Sequence, residues 1–130
     1  MKISAETIRR EVSEGEKRIR GQVRETPLEY SPFLSSECGA DTWLKLENYQ
    51  RTGSFKIRGA LNKVLTLRDT DRKLVTSSTG NHAAAFISAL GRMDLEGVIY
   101  VPENISPAKL ESLTGERIRI IKFGDDCVKA

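Results

Sequence analysis

The sequence predicts an α/β protein built on a parallel sheet, and three observations carry that expectation. Short apolar runs at residues 73–77, 98–101 and 117–123 have strand character. Helical patterns separate them, at residues 83–90 and 106–114. Val98-Ile99-Tyr100-Val101 is continuous rather than alternating, which marks a strand covered on both faces. A strand–helix–strand–helix–strand order at this spacing implies crossover connections, and therefore parallel strands with right-handed crossovers.

The elements follow in order. Ser4 is a natural helix cap, and Glu6 sits in the first turn. Ile8, Val12, Ile19 and Val23 recur on one face of a first helix, which Pro27 is expected to stop. Residues 42–47 alternate, with Thr42, Leu44 and Leu46 on one side and Trp43, Lys45 and Glu47 on the other, and read as a strand. A turn-rich stretch, 48–53, leads to Ser54, the expected cap of a second helix carrying Ile57, Ala60, Leu61, Val64 and Leu65. The charged run Arg68-Asp69-Thr70-Asp71-Arg72-Lys73 is the best candidate for a boundary between two lobes.

Beyond it, Gly80 and Asn81 open a helix that is small and apolar nearly all round, and so is expected to be buried. Pro102 ends the central strand. Ser106-Pro107 starts the next helix and Thr114-Gly115 stops it. Asp125 is expected to begin another helix, so the chain reads as the front portion of a longer protein.

Composition removes several classes of function. With 130 residues, 38% of them hydrophobic and 30% charged, the chain can bury a core without staples. Twenty-one basic residues oppose eighteen acidic ones, and around residues 9–20 they interleave within a helical turn. That pattern is a solvated face rather than a nucleic-acid footprint. No apolar run is long enough to span a bilayer, and the start lacks a signal-peptide core, so no membrane partner and a cytoplasmic setting are expected. Cys38 and Cys127 stand far apart and His82 is the single histidine, which leaves neither a disulfide framework nor a zinc site. Dinucleotide, phosphate-loop, nucleophile-elbow and metalloprotease motifs are absent.

Two clusters carry chemistry. In Thr52-Gly53-Ser54-Phe55-Lys56-Ile57-Arg58-Gly59-Ala60, Lys56 falls in the first turn of a helix between Phe55 and Ile57. A cation at the positive end of a helix dipole, flanked by apolar groups, is disfavoured, which is what a Schiff-base lysine needs. By spacing alone Lys56 reads rather as a solvated surface lysine. In Ser77-Ser78-Thr79-Gly80-Asn81-His82, a hydroxyl-rich strand end meets a glycine at a helix start and presents backbone N–H groups toward an anion. An ordinary capped helix accounts for the same residues, and His82 alone suits a packing or capping role.

Together the clusters resemble the fold-type II pyridoxal-phosphate enzymes, in particular the threonine/serine dehydratase branch. Residues 46–60 look like that family's cofactor-lysine segment, and 78–82 like its substrate-carboxylate loop. Thr26-Pro27-Leu28, Val101-Pro102-Glu103 and Gly124-Asp125-Asp126 fall where the family has similar residues. The resemblance implies a three-layer, tryptophan synthase β-like fold, truncated here. Residues 1–72 would form the front of the large cofactor domain, and 73–130 an incomplete small substrate-side domain.

It further implies that Lys56 holds pyridoxal 5'-phosphate and shuttles protons, that Phe55 packs beside the ring, and that Asn81 donates to its phenolic oxygen. Ser78, Thr79, Gly80, Asn81 and His82 would grip the carboxylate of an amino-acid substrate. Thr79 stands where racemase relatives carry a serine, which favours dehydration over racemisation. The family's phosphate-cradling glycine loop would lie beyond Ala130. A β-replacement synthase, a racemase or a non-catalytic fragment are the alternatives, and homo-oligomers are the general expectation for the full-length enzyme.

Overall fold

The computed structural model describes residues 3–67, 69 and 73–126. Helix α1 spans Ala5–Ile19, and the Ser4 hydroxyl accepts the Thr7 N–H at 3.1 Å, as the cap expectation requires. The helix does not run on to Pro27. Arg20 leaves helical geometry and Gly21 takes φ +76°, a left-handed value that glycine adopts without strain. Val23 therefore lies past the helix end, although it still packs against the core. Of the expected apolar stripe only Ile19 is buried; Ile8 and Val12 are exposed along a groove shared with Arg58, Gly59 and Asn62.

Three elements went unread in the sequence: strand β1 (Leu28–Tyr30), helix α2 (Pro32–Cys38) and a 3-10 turn (Glu47–Tyr49). Ser31 caps α2, with Pro32 in the first turn and Gly39 closing it in the left-handed region, so the local signals were present. Strand β2 (Trp43–Lys45) is shorter than its alternation suggested and pairs antiparallel with β1, Leu28 opposite Lys45. Tyr30 and Trp43 meet edge to face across this pair at 5.4 Å.

Helix α3 (Lys56–Leu67) begins where Ser54 predicts it, and the buried Ser54 hydroxyl accepts the Lys56 N–H at 3.4 Å. Strands β3 (Leu74–Ser77), β4 (Gly97–Val101) and β5 (Ile118–Lys122) form one parallel sheet in the order β3-β4-β5. Helix α4 (Asn81–Met93) links β3 to β4, and α5 (Pro107–Ser112) links β4 to β5. The parallel sheet is as expected. On β4, Gly97, Ile99 and Val101 are buried while Val98 and Tyr100 are half-buried, so one face is sealed and the other partly covered.

The core joins these layers. Ile57, Ala60, Leu61 and Val64 of α3 pack with Ala83, Ala85, Phe86, Ala89 and Leu90 of α4, and with Ile99 and Val101 of β4. Alanines on α4 let α3 approach closely, and these two helices share the most extensive contact among the described elements. Gly97 serves the same purpose on β4: a Cβ there would stand 2.3 Å from Leu90 Cδ1. Asp125, the expected start of a further helix, lies in a bend with Asp126. Residues 127–130, with Cys127, and Arg68, Thr70, Asp71 and Arg72 of the expected boundary lie outside the described residues. Among the described residues no helix is long and apolar enough to cross a membrane.

Candidate functional site

The lysine segment is shaped by local rules first. After β2 the chain makes the 3-10 turn, and Gly53 turns it at φ +71° before Ser54 caps α3. Lys56 is thus the first residue of a helix. Its neighbours differ: Ile57 is 1% exposed and anchors α3 in the core, whereas Phe55 is 60% exposed. The expected apolar surround is therefore one-sided. The Lys56 ammonium lies 5.7 Å from the Phe55 ring centroid and is itself exposed. Thr52 Oγ1, four residues earlier, is buried with no hydrogen-bond partner.

The second cluster is the strand-to-helix corner between β3 and α4. Ser78 and Thr79 are half-buried, and Gly80, Asn81 and His82 are exposed. The Ser78 hydroxyl accepts the Gly80 N–H at 3.3 Å. Gly80 is the N-cap and brings no side-chain acceptor to the first turn. The N–H groups of Asn81, His82 and Ala83 consequently have no acceptor within the helix, while Ala84 N–H already bonds Gly80 O at 3.1 Å. Uncapped amides at the positive end of a thirteen-residue helix suit a carboxylate.

Both clusters thus stand at the first turns of two helices packed on each other. The donor set is a primary amine, a carboxamide and free amides. Those groups fit a cofactor that presents a carbonyl carbon to an amine and a phenolic oxygen to a donor, together with a carboxylate-bearing substrate.

A third group of residues did not register as functional in the sequence. Glu47, in the 3-10 turn, receives the Arg58 guanidinium through two bonds, Nε to Oε2 at 2.8 Å and Nη2 to Oε1 at 2.7 Å. Thr26 donates its hydroxyl to Oε1 at 2.6 Å, and Gln50 Nε2 donates to Oε2 at 3.2 Å. Gln50, itself 4% exposed, also brackets the Arg24 backbone, accepting from its N–H at 3.1 Å and donating to its carbonyl at 2.8 Å. The Arg58 guanidinium above all, with the Thr26 and Gln50 bonds adding to it, lowers the Glu47 carboxyl from 4.5 to about 2. One signal was available: α3 has no acidic residue in its first turn and carries two cations there, Lys56 and Arg58. Such a helix start needs a carboxylate from elsewhere.

Residues 19–130 match the family model described as "Pyridoxal-phosphate dependent enzyme". The catabolic L-threonine dehydratase TdcB of Escherichia coli K12 is 31% identical over 118 residues, which is 89% of this chain and 36% of the relative. The biosynthetic L-threonine dehydratase IlvA of Corynebacterium glutamicum is 36% identical over 132 residues, 97% of this chain and 30% of the relative. Among solved structures, serine racemase from Dictyostelium discoideum superposes with a TM-score of 0.80 at 31% identity, covering 88% of this chain and 38% of that one. The chain spans about a third of the length of these relatives.

Proposed function

The chain belongs to the pyridoxal-phosphate dependent enzyme family, and from that membership we propose that it supplies the lysine side of an enzyme that converts L-threonine or L-serine to a 2-oxo acid and ammonia. The observation that carries this reading is the pair of helix starts, an exposed amine at Lys56 on α3 and uncapped amides at residues 81–83 on the packed helix α4. The threonine dehydratase relatives support the substrate class.

In this reading Lys56 would hold the cofactor through its Nζ, and the same amine would take the α proton of the substrate. Phe55 would pack beside the cofactor ring, and the Asn81 carboxamide would donate to its phenolic oxygen. Residues 78–82 orient the substrate carboxylate through the α4 amides and the Ser78 and Thr79 hydroxyls. When bound, the cofactor supplies an electron sink for the α carbon, which lets the β hydroxyl leave. Thr79 is restricted at χ1, which disfavours a second proton transfer from its side. We assign residues 1–72 to the front of the large cofactor domain and 73–130 to the substrate-side domain. The two sheets fall on either side of that division, while the buried cluster runs across it.

The test uses the full-length protein loaded with pyridoxal phosphate. Oxo acid released from threonine or serine supports the reading; bound cofactor with no oxo acid from either sinks it. Lys56→Ala should abolish both turnover and the visible absorbance of the lysine-linked cofactor. The resemblance to serine racemase gives racemisation as a second reading. It takes precedence if D-serine forms from L-serine faster than oxo acid does.

A further inference from the structure

We propose that the Glu47–Arg58 pair is a positioning element, a tether that fixes the rotation of the first turn of α3 and thereby the direction in which Lys56 projects. The inference rests on the reading of Lys56 as the cofactor-linking lysine.

The geometry supplies the reason. Arg58 lies in the first turn of α3, where the helix dipole favours a carboxylate over a cation. Stability alone would put the carboxylate there. Instead the position holds a cation, and the carboxylate comes from Glu47, eleven residues away on a separate turn. The result is a cross-link in place of a local carboxylate. Two parallel bonds to a planar guanidinium fix orientation as well as distance. The far side of the tether is itself held, because Thr26 and Gln50 also bond Glu47 and Gln50 brackets Arg24.

Lys56 precedes Arg58 by two residues, so the two side chains leave the helix about 200° apart. With Arg58 drawn toward Glu47, Lys56 is turned to the opposite, open side, where it is exposed beside Phe55. The pair therefore acts on Lys56 through the helix backbone rather than by touching it. Its burial is asymmetric, with Glu47 at 16% and Arg58 at 32% side-chain exposure, so the carboxylate end is the anchored one. The exposed pairs Lys17–Glu14 and Arg20–Glu16, by contrast, join residues three and four apart in sequence and tether nothing.

Three variants of the full-length protein test the tether: Glu47→Gln, which keeps the shape and loses the charge, Arg58→Lys, which keeps the charge and loses the fork, and Thr26→Val. In the first two, bound cofactor should stay near stoichiometric. The circular dichroism of its visible band should fall to less than about half, since that amplitude reads the orientation of the lysine-linked chromophore. Turnover should drop at least tenfold in kcat with KM within about twofold, the pattern of lost transition-state alignment. In the cofactor-free protein, amide exchange at residues 54–60 should quicken while that of α4 is unchanged. A lowered melting temperature with wild-type dichroism, kcat and exchange at 54–60 would overturn the proposal and leave the pair a stabiliser only. If the first two variants do not fold, Thr26→Val carries the test, because it keeps both charges and removes one bond from Glu47. A reduced visible dichroism supports the tether, and an unaltered one with unaltered kcat overturns it. A wild-type protein without a visible band, or a band that survives Lys56→Ala, defeats the underlying reading and this inference with it. That failure is seen before any tether variant is made.

Discussion

Between residues 24 and 58 the contacts that fix the backbone are polar: Glu47, Arg58, Gln50 and Thr26 hold one another and the Arg24 main chain. From β3 to β5 they are apolar, with Phe86, Leu90, Ile99, Val101 and Leu113 buried in one cluster that extends to α3. The polar region leaves large hydrophobic side chains in solvent, among them Phe33, Trp43 and Phe55, whereas the sheet region buries nearly everything on its α4 side. The two forms of cohesion do different things. Apolar burial is non-directional and tolerates small rotations of one element on another. A bidentate ion pair with every lone pair occupied does not. The segment that carries Lys56 is held by both: Ile57 anchors it in the core, and the Glu47–Arg58 pair adds the directional kind.

The contrast predicts separable failures. Leu90→Ala should have the largest effect, about 3–5 kcal/mol of lost stability, because Leu90 is fully buried between α4 and β4. Native-state amide exchange should then quicken throughout β3, β4 and α4. Glu47→Ala should cost about 2–3 kcal/mol by leaving the half-buried Arg58 charge unpaired, and exchange should quicken at residues 46–58 while β4 stays protected. Equal loss of protection in both regions would erase the distinction. Gly97→Ala should cost about 2 kcal/mol, since the new methyl meets Leu90 and Phe86 and the sheet side must repack.

Acid provides a gentler version of the Glu47 change. The folded-state value of about 2 lies below the unfolded 4.5, so the pair's contribution is complete above about pH 4.5 and is lost as pH falls toward about 2. A pH titration of exchange at residues 46–58 should show a loss of protection in that window, and Glu47→Gln should remove it. The smallest effect belongs to Arg20→Ala. Its partner Glu16 is equally exposed, and the denaturation midpoint should not move measurably.

How much of this was readable in advance differs between the two regions for the same reason. Apolar runs and spacing identified β3, α4, β4 and β5 and their parallel order, because packed elements write their burial into their pattern. Apolar spacing also marked α3 through Ile57, Ala60, Leu61 and Val64. Helix α5, by contrast, buries nothing and was marked only by Ser106-Pro107 at its start and Thr114-Gly115 at its stop. Strand β1 escaped because three exposed residues have no burial pattern to display. Helix α2 was signalled by Ser31, Pro32 and Gly39 but buries nothing, so no apolar stripe called attention to it. The stripe on α1 over-reported in turn: Ile8 and Val12 share a face with Ile19 and remain exposed in a groove of about 730 Å³.

The sequence by itself determined that Lys56 and Asn81 would each begin a helix. Capping and helix-start chemistry are local: Ser54 and Gly80 sit within two residues of the turns they set. The resemblance of residues 46–60 and 78–82 to one enzyme family is likewise carried by neighbouring residues. Only the tertiary structure decided that Phe55 would stand open while Ile57 is sealed, and that α3 and α4 would pack as one layer. It alone decided that a glutamate on one turn would grip an arginine on another. Those outcomes depend on which surfaces meet, and side chains eleven residues apart have no shared period through which a sequence could announce that they touch.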